Sequence, residues 1–347
     1  MSAPTTAPGS DLPALRVAVL GTGAMGAIFG AALARSGAEL ICFDHRADVI
    51  EAIARDGLRV DGALGTRRLR PRATLEAGAI GPVDLVLVTV DSGATAQAAE
   101  AAATCLRPEG FALTLQNGIG NVEQLVARLG AARVAAGITY NSGAGAGPGH
   151  AVHTNVGHTV IGEAAGGTSA RLRDIAERFT SQSLPTTLDD AVLGHVWSKF
   201  VHNCAINPIA AITGLRPGEI ARTPAAAELL DRALDEILAV VDAEGIVLPE
   251  SDARALIRDH CWERYNRPSM LQHLLAGRRT EIDALNGALL RHAAARGVPA
   301  PVNTAIVLAV RALEAAGGTR DRILDESALE AAALARPRGG NWGRATG

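Results

Sequence analysis

The chain has 347 residues, of which 48% are hydrophobic and 20% charged, with a formal net charge of -3. That length suits two domains with a sizeable core, and a nearly balanced charge gives no reason to expect nucleic acid or an anionic membrane surface as partner. Aromatics make up only 3% of the residues, so the core is expected to be aliphatic.

Residues 1–14 are rich in Pro, Ser and Thr, have no basic start and precede no long apolar run. They are expected to form a loose tail and not a signal peptide. Nothing later offers the apolar span of about 18 residues that a membrane helix requires. Cys42, Cys105, Cys204 and Cys261 are scattered without pairing or metal spacing. Reduced thiols in a cytoplasmic protein are the simplest reading, and no metal is expected.

Leu15–Leu20 is a short apolar run followed by Gly21, Thr22, Gly23, Ala24, Met25 and Gly26 and then by a helical pattern. This is the strand, glycine turn and helix of a dinucleotide-binding unit. Gly21 allows the tight turn, Gly23 lets the backbone approach a pyrophosphate, and Gly26 lets helix and strand pack closely. A second strand, Glu39–Phe43, ends at Asp44, where a carboxylate can bind the adenosine ribose hydroxyls.

Val83–Val90 reads as a buried parallel strand, with a helix over Thr95–Leu106. The next strand, Phe111–Leu115, runs into Gln116-Asn117-Gly118, a loop at the sheet edge where such folds bind ligands. Asn117 is thus a site candidate, or a simple Asn-Gly turn. A helix over Asn121–Leu129 and a strand over Val134–Tyr140 follow, then a flexible glycine-rich run and one edge strand over Val152–Gly162. His150, His153 and His158 are expected to be solvent-exposed and without an acidic partner, and His195 and His202 to be structural.

Beyond Leu188 the pattern is helical throughout, with helices expected over Ala191–Thr213, Pro224–Glu244, Glu250–Asn266, Thr280–Arg296 and Asn303–Ala316. The fold class is therefore α/β, an N-terminal Rossmann dinucleotide-binding domain (15–188) followed by an all-α C-terminal domain (189–330), with a second tail over 331–347. The first of these helices holds Lys199, the only lysine among 33 Lys+Arg. Unlike arginine, a lysine can shift its pKa and surrender a proton. Lys199, Asn203 and Asn207, at i, i+4 and i+8, form a polar row on one helix face. Glu281 is either a helix-dipole partner or a carboxylate facing the cleft between the domains. Asn266 and Ser269 fall on a loop before Met270.

GTGAMG at Gly21, LQNGIGNVE around Gln116, WSKFVHNCAINPIAAIT from Trp197 and PSMLQHLLAGRRTEIDALNG from Pro268 together resemble the ketopantoate reductase family over nearly the whole globular length. The resemblance implies that Lys199 is the proton donor, that Asn203, Asn207 and Ser269 hold the substrate, and that Asn117 lies between the nicotinamide ribose and the substrate. It places Glu281 beside both, as a catalytic group. Asn266, just ahead of Ser269, joins the substrate-binding candidates. The implied reaction is reduction of a branched 2-keto acid by NAD(P)H, with ketopantoate to (R)-pantoate leading. An NAD-dependent D-2-hydroxyacid (D-mandelate-like) dehydrogenase of the same family is the alternative, and a non-catalytic dinucleotide-binding regulator is the rival from another class.

Two departures from the family pattern bear on the cofactor. Asp44-His45-Arg46 and Thr89-Val90-Asp91 stand where many members carry a basic residue. Asp44 and Asp91 favour NAD(H), while Arg46 favours a 2′-phosphate. A homodimer is compatible with the family, and a small 2-keto acid is the expected partner.

Overall fold

A computed structural model of the chain describes residues 15–316. The expected tails at 1–14 and 331–347, and the last stretch of the second domain (317–330), lie outside the described residues. The elements, in chain order, are β1 (Arg16–Leu20), α1 (Ala24–Arg35), β2 (Glu39–Phe43), α2 (Ala47–Asp56), β3 (Leu58–Gly62), β4 (Arg67–Leu69), β5 (Arg72–Thr74), β6 (Val83–Val88), α3 (Thr95–Cys105), β7 (Leu106–Thr114), α4 (Asn121–Leu129), β8 (Val134–Thr139), β9 (Ser142–Gly147), β10 (His150–Asn155), β11 (Thr159–Glu163), α5 (Ala170–Ser181) and β12 (Thr186–Leu188). Helices follow: α6 (Val192–Thr213), α7 (Pro217–Arg222), α8 (Pro224–Glu244), α9 (Ala253–Glu263), α10 (Ser269–Leu275), α11 (Asn286–Arg296) and α12 (Pro301–Ala315). The expected class holds: a doubly wound sheet, then helices, with no strand after Leu188 among the described residues.

Eight strands form the main sheet in the order β12-β11-β8-β7-β6-β1-β2-β5. All neighbours from β8 to β5 are parallel, and β11 runs antiparallel to β8. Successive residues of a strand face opposite sides of a sheet. Val17 and Val19 of β1 accordingly join the core under α1 and α5, while Ala18 and Leu20 join the core under α3 and α4. Helices on both faces thus explain why these strands read as continuous apolar runs and not as alternation. The strand order reverses between β1 and β6, which opens the crevice where such sheets bind dinucleotides.

Three expectations on this domain are corrected. The single edge strand over Val152–Gly162 is two strands: β10 belongs to a separate four-stranded sheet, β4-β3-β10-β9, and β11 to the main one. The chain must change sheets between Asn155 and Thr159, so no single strand can span the stretch. The glycine-rich run expected to be flexible is β9, paired antiparallel with β10. The histidines also depart from expectation. His153 is only 2% exposed and its Nε2 donates to Asn141 Oδ1 at 3.0 Å. His150 Nε2 meets Asp61 Oδ2 at 2.8 Å, so it has an acidic partner. His158 is exposed, as expected. No group of three potential metal ligands forms among the described residues.

The helical part wraps α6, whose Trp197, Phe200, Val201, Cys204, Ala205 and Ile209 enter one core with α8, α11 and α12. Pro208 lies inside α6 and has no N–H for the Cys204 carbonyl one turn earlier. Asn286 Nδ2 takes that place, donating to Cys204 O at 3.0 Å and to Asn303 Oδ1 at 2.9 Å. The expected helix over Thr280–Arg296 is corrected here. The chain bends at Leu285 (φ -99°, ψ -103°), and α11 begins only at Asn286, which is buried by its duty to α6. Glu281 lies in the turn before it. Ser269, expected on a loop, opens α10.

Candidate active site

The glycine loop meets its steric requirements. Gly21 has φ +90°, a conformation other residues avoid. A Cβ on Gly26 would lie 2.1 Å from the Gly21 carbonyl oxygen. Above Gly23, by contrast, nothing stands within 4 Å of where a Cβ would be. Gly23 caps α1 without a side-chain hydrogen bond, and the first turn holds no acid. The first N–H groups of the helix have no partner within it, and the space above Gly23 is open, which suits a pyrophosphate. Thr22 is buried, and Ala24 and Met25 are half-buried beside it.

Asp44 lies at the end of β2 and is 3% exposed. Its Oδ2 accepts from Thr22 N at 2.8 Å and its Oδ1 from Arg46 N at 3.0 Å, with Arg46 Nε at 3.4 Å. The carboxylate thus ties the glycine loop to β2 and has Arg46 to balance it. Asp91 is exposed on the loop after β6.

Asn117 follows β7 on a loop that side chains hold in place. Ser92 Oγ and Asn121 Nδ2 donate to its carbonyl at 3.0 and 2.9 Å, and Gln116 Nε2 donates to Val90 O and Thr95 Oγ1, both at 2.9 Å. Ser92, Thr95, Gln116 and Asn121 were not singled out from the sequence, although the last two stand in its LQNGIGNVE motif. Strand β7, which leads into the Asn117 loop, pairs with β8 up to Thr114 opposite Ala136, three residues before Thr139.

Lys199 meets the sheet there. Its Nζ donates to the Thr139 carbonyl at 2.7 Å, at the C-terminal end of β8. Burial brings its pKa down to about 8, against an upward pull from the Glu281 carboxylate. An amine from the helical part therefore reaches the edge of the sheet, and a carboxylate from the turn before α11 acts on it electrostatically. No sequence pattern names a backbone carbonyl, so Thr139 could not be foreseen. Around it, Asn141 Nδ2 donates to Thr139 Oγ1 at 2.9 Å and to Gly157 O at 2.8 Å.

Asn203 and Asn207 continue along α6, the first half-buried and the second 7% exposed. His202 immediately precedes Asn203, its ring 4.3 Å from that of His260. Burial, with His260 and the Lys199 charge adding to it, lowers its pKa to about 4, although Asn203 pulls the other way. A neutral His202 avoids a second cation beside the lysine. Asn266 and Ser269 are exposed around the start of α10.

Residues 17–166 match the family model described as ketopantoate reductase PanE/ApbA, and residues 191–314 match its C-terminal counterpart. The chain belongs to the ketopantoate reductase family. It is 32% identical over 290 residues to a 2-dehydropantoate 2-reductase of Halobacterium salinarum, a match covering 83% of this chain and 95% of that one. Among solved structures, a PanE/ApbA family ketopantoate reductase from Ralstonia eutropha superposes with a TM-score of 0.79 at 33% identity, covering 88% of this chain and all of that one. D-mandelate dehydrogenase in a ternary structure with NADH and anilino(oxo)acetate has the same fold, with a TM-score of 0.79 at 23% identity over 88% of this chain and 100% of that one. Membership of the ketopantoate reductase family makes the chain an oxidoreductase.

Proposed function

We propose that this protein reduces a branched 2-keto acid with NAD(P)H, 2-dehydropantoate to (R)-pantoate being the leading reaction, and that Lys199 is the proton donor. The observation that carries this reading is the Lys199 ammonium at the C-terminal edge of the sheet, bonded to Thr139 O and within the electrostatic reach of Glu281. The 2-dehydropantoate 2-reductase names of its relatives support the substrate.

Gly21, Thr22, Gly23, Ala24, Met25 and Gly26 would hold the pyrophosphate, and Asp44 and Arg46 the adenosine ribose. A reduced nicotinamide bound there supplies the hydride. As C2 of the substrate gains that hydride, charge develops on its oxygen. The Lys199 ammonium stabilises the charge and gives up a proton to make the hydroxyl, after which solvent returns the proton to the amine. A pKa near 8 leaves Lys199 mostly protonated at neutral pH yet a stronger acid than an ordinary lysine. Glu281 keeps the amine from losing its charge altogether. Asn117, Asn203, Asn207, Asn266 and Ser269 orient the acid without adding net charge.

Asp44 and Asp91 favour NADH over NADPH in this reading, with Arg46 opposing them. Steady-state rates with ketopantoate, 2-ketoisovalerate and phenylglyoxylate, each with NADH and NADPH, test both choices. Highest kcat/KM for ketopantoate is the expected outcome. A clear advantage for phenylglyoxylate would transfer the assignment to the mandelate-like dehydrogenases, and tight cofactor binding without any turnover would favour a regulatory protein.

A further inference from the structure

Directly after Thr139 the chain places Tyr140, which the chemistry above does not use. Its ring centroid lies 5.9 Å from Lys199 Nζ, yet the residue is 53% exposed. Its backbone is fixed. Tyr140 N donates to His158 O at 2.8 Å, and Gly157 presses so close that a Cβ there would come within 2.2 Å of the Tyr140 carbonyl carbon and oxygen. The next residue, Asn141, is 7% exposed and is held by Thr139, Gly157 and His153. A rigid base thus presents a large, partly apolar ring to the solvent beside the amine, and covering such a ring is favourable.

A keto oxygen accepting from Lys199 must come within about 3 Å of Nζ. The carbon chain attached to C2 then falls within reach of a ring whose centre is 5.9 Å from the same nitrogen. We propose that Tyr140 determines specificity for the acid's side chain, its ring face packing against a branched or aromatic group at C3. This rests on the reading that Lys199 meets the keto oxygen. The competing role is a cation–π contact that only steadies the ammonium, an effect shared by every substrate. A packing role is selective, because pyruvate carries too little side chain to cover the ring.

The test compares Tyr140→Ala and Tyr140→Phe with the unaltered protein. It measures kcat/KM for ketopantoate, 2-ketoisovalerate, phenylglyoxylate and pyruvate, the pH profile for one large and one small acid, and the affinity for NADH. Tyr140→Ala should lower kcat/KM about tenfold for the three larger acids, chiefly through KM, and at most about twofold for pyruvate. NADH affinity should not change, and Tyr140→Phe should restore the larger acids because the ring face is kept. An equal loss for all four acids, or a pH profile displaced alike for large and small ones, would assign Tyr140 to the lysine's charge and overturn the proposal. Unchanged ratios in Tyr140→Ala would overturn it too, while leaving the reductase reading intact. If the unaltered protein binds NADH and reduces none of the four, the reductase reading fails and the specificity role with it.

Discussion

At the scale of single residues, the site turns on one amine kept where charge is costly. Because Lys199 has a folded pKa near 8 against an ordinary value of 10.5, the fold is penalised wherever the amine must stay charged. That penalty is complete below about pH 8 and fades as the pH rises toward the unfolded value. Lys199→Met should therefore stabilise the protein at neutral pH, by on the order of 2 kcal/mol once the bond to Thr139 is discounted. Thermal unfolding at about pH 7 and about pH 10 checks this, and the gain should shrink at the higher pH. A variant that is less stable at neutral pH would mean that the amine supports the fold. Asp44 gives a second residue-scale prediction, since its carboxylate, proposed above to bind the ribose, also accepts the Thr22 N–H. Asp44→Asn keeps an acceptor for only one of the two backbone N–H groups and loses the charge, so the ratio of kcat/KM with NADPH to that with NADH should rise several-fold, with a lower unfolding temperature because the amide turns a donor toward the other N–H. Asp44→Ala should raise the ratio and also lower the unfolding temperature, because it orphans a buried N–H. An unmoved ratio in both variants would show that Asp44 does not read the ribose. The amine, its row of asparagines and Asp44 were legible because residue type and spacing carry them. The Thr139 carbonyl was not, because its meeting with Lys199 depends on which distant backbone segments come together in space.

At the scale of elements, the strand-turn-helix unit could be read from the sequence because each glycine answers a different steric demand. Those demands predict opposite outcomes for two similar changes. Gly26→Ala forces a methyl against the Gly21 carbonyl and should cost roughly 3 kcal/mol of stability. Gly23→Ala enters open space, so its unfolding temperature should hold while the dissociation constant for NADH rises about tenfold or more as the methyl obstructs the pyrophosphate. Denaturation curves and cofactor titration of both variants check the pair. Equal behaviour would mean that the loop is only a structural turn. Elsewhere, local pattern failed where distant partners decide. The apolar stripe of Ile282, Leu285 and Leu289 reads as one helix, but Asn286 is claimed by the Cys204 carbonyl that Pro208 leaves free, and the helix starts there. His153 read as exposed because nothing local marks Asn141 as its partner.

At the scale of the whole molecule, α6 belongs to two cores. Val192 is buried with β6 and α3 of the sheet domain, and from Trp197 onward the helix is buried with α8, α11 and α12. The amine it carries is therefore placed at an edge built by the sheet. Sequence periodicity shows a helix at a junction, while the junction's geometry comes from how β8, α6 and the turn holding Glu281 pack. The most direct measurement of the central claim is kcat/KM for keto-acid reduction as a function of pH, in the unaltered protein and in Lys199→Arg, with NADH affinity taken alongside. The account predicts a plateau on the acid side that falls about tenfold per pH unit above a single ionisation near 8, because only the ammonium can donate. It also predicts an arginine variant that binds NADH normally yet turns over roughly a thousandfold more slowly, with that ionisation gone. Near-normal kcat in Lys199→Arg, or a profile that keeps the same fall near 8 without the lysine, would contradict it.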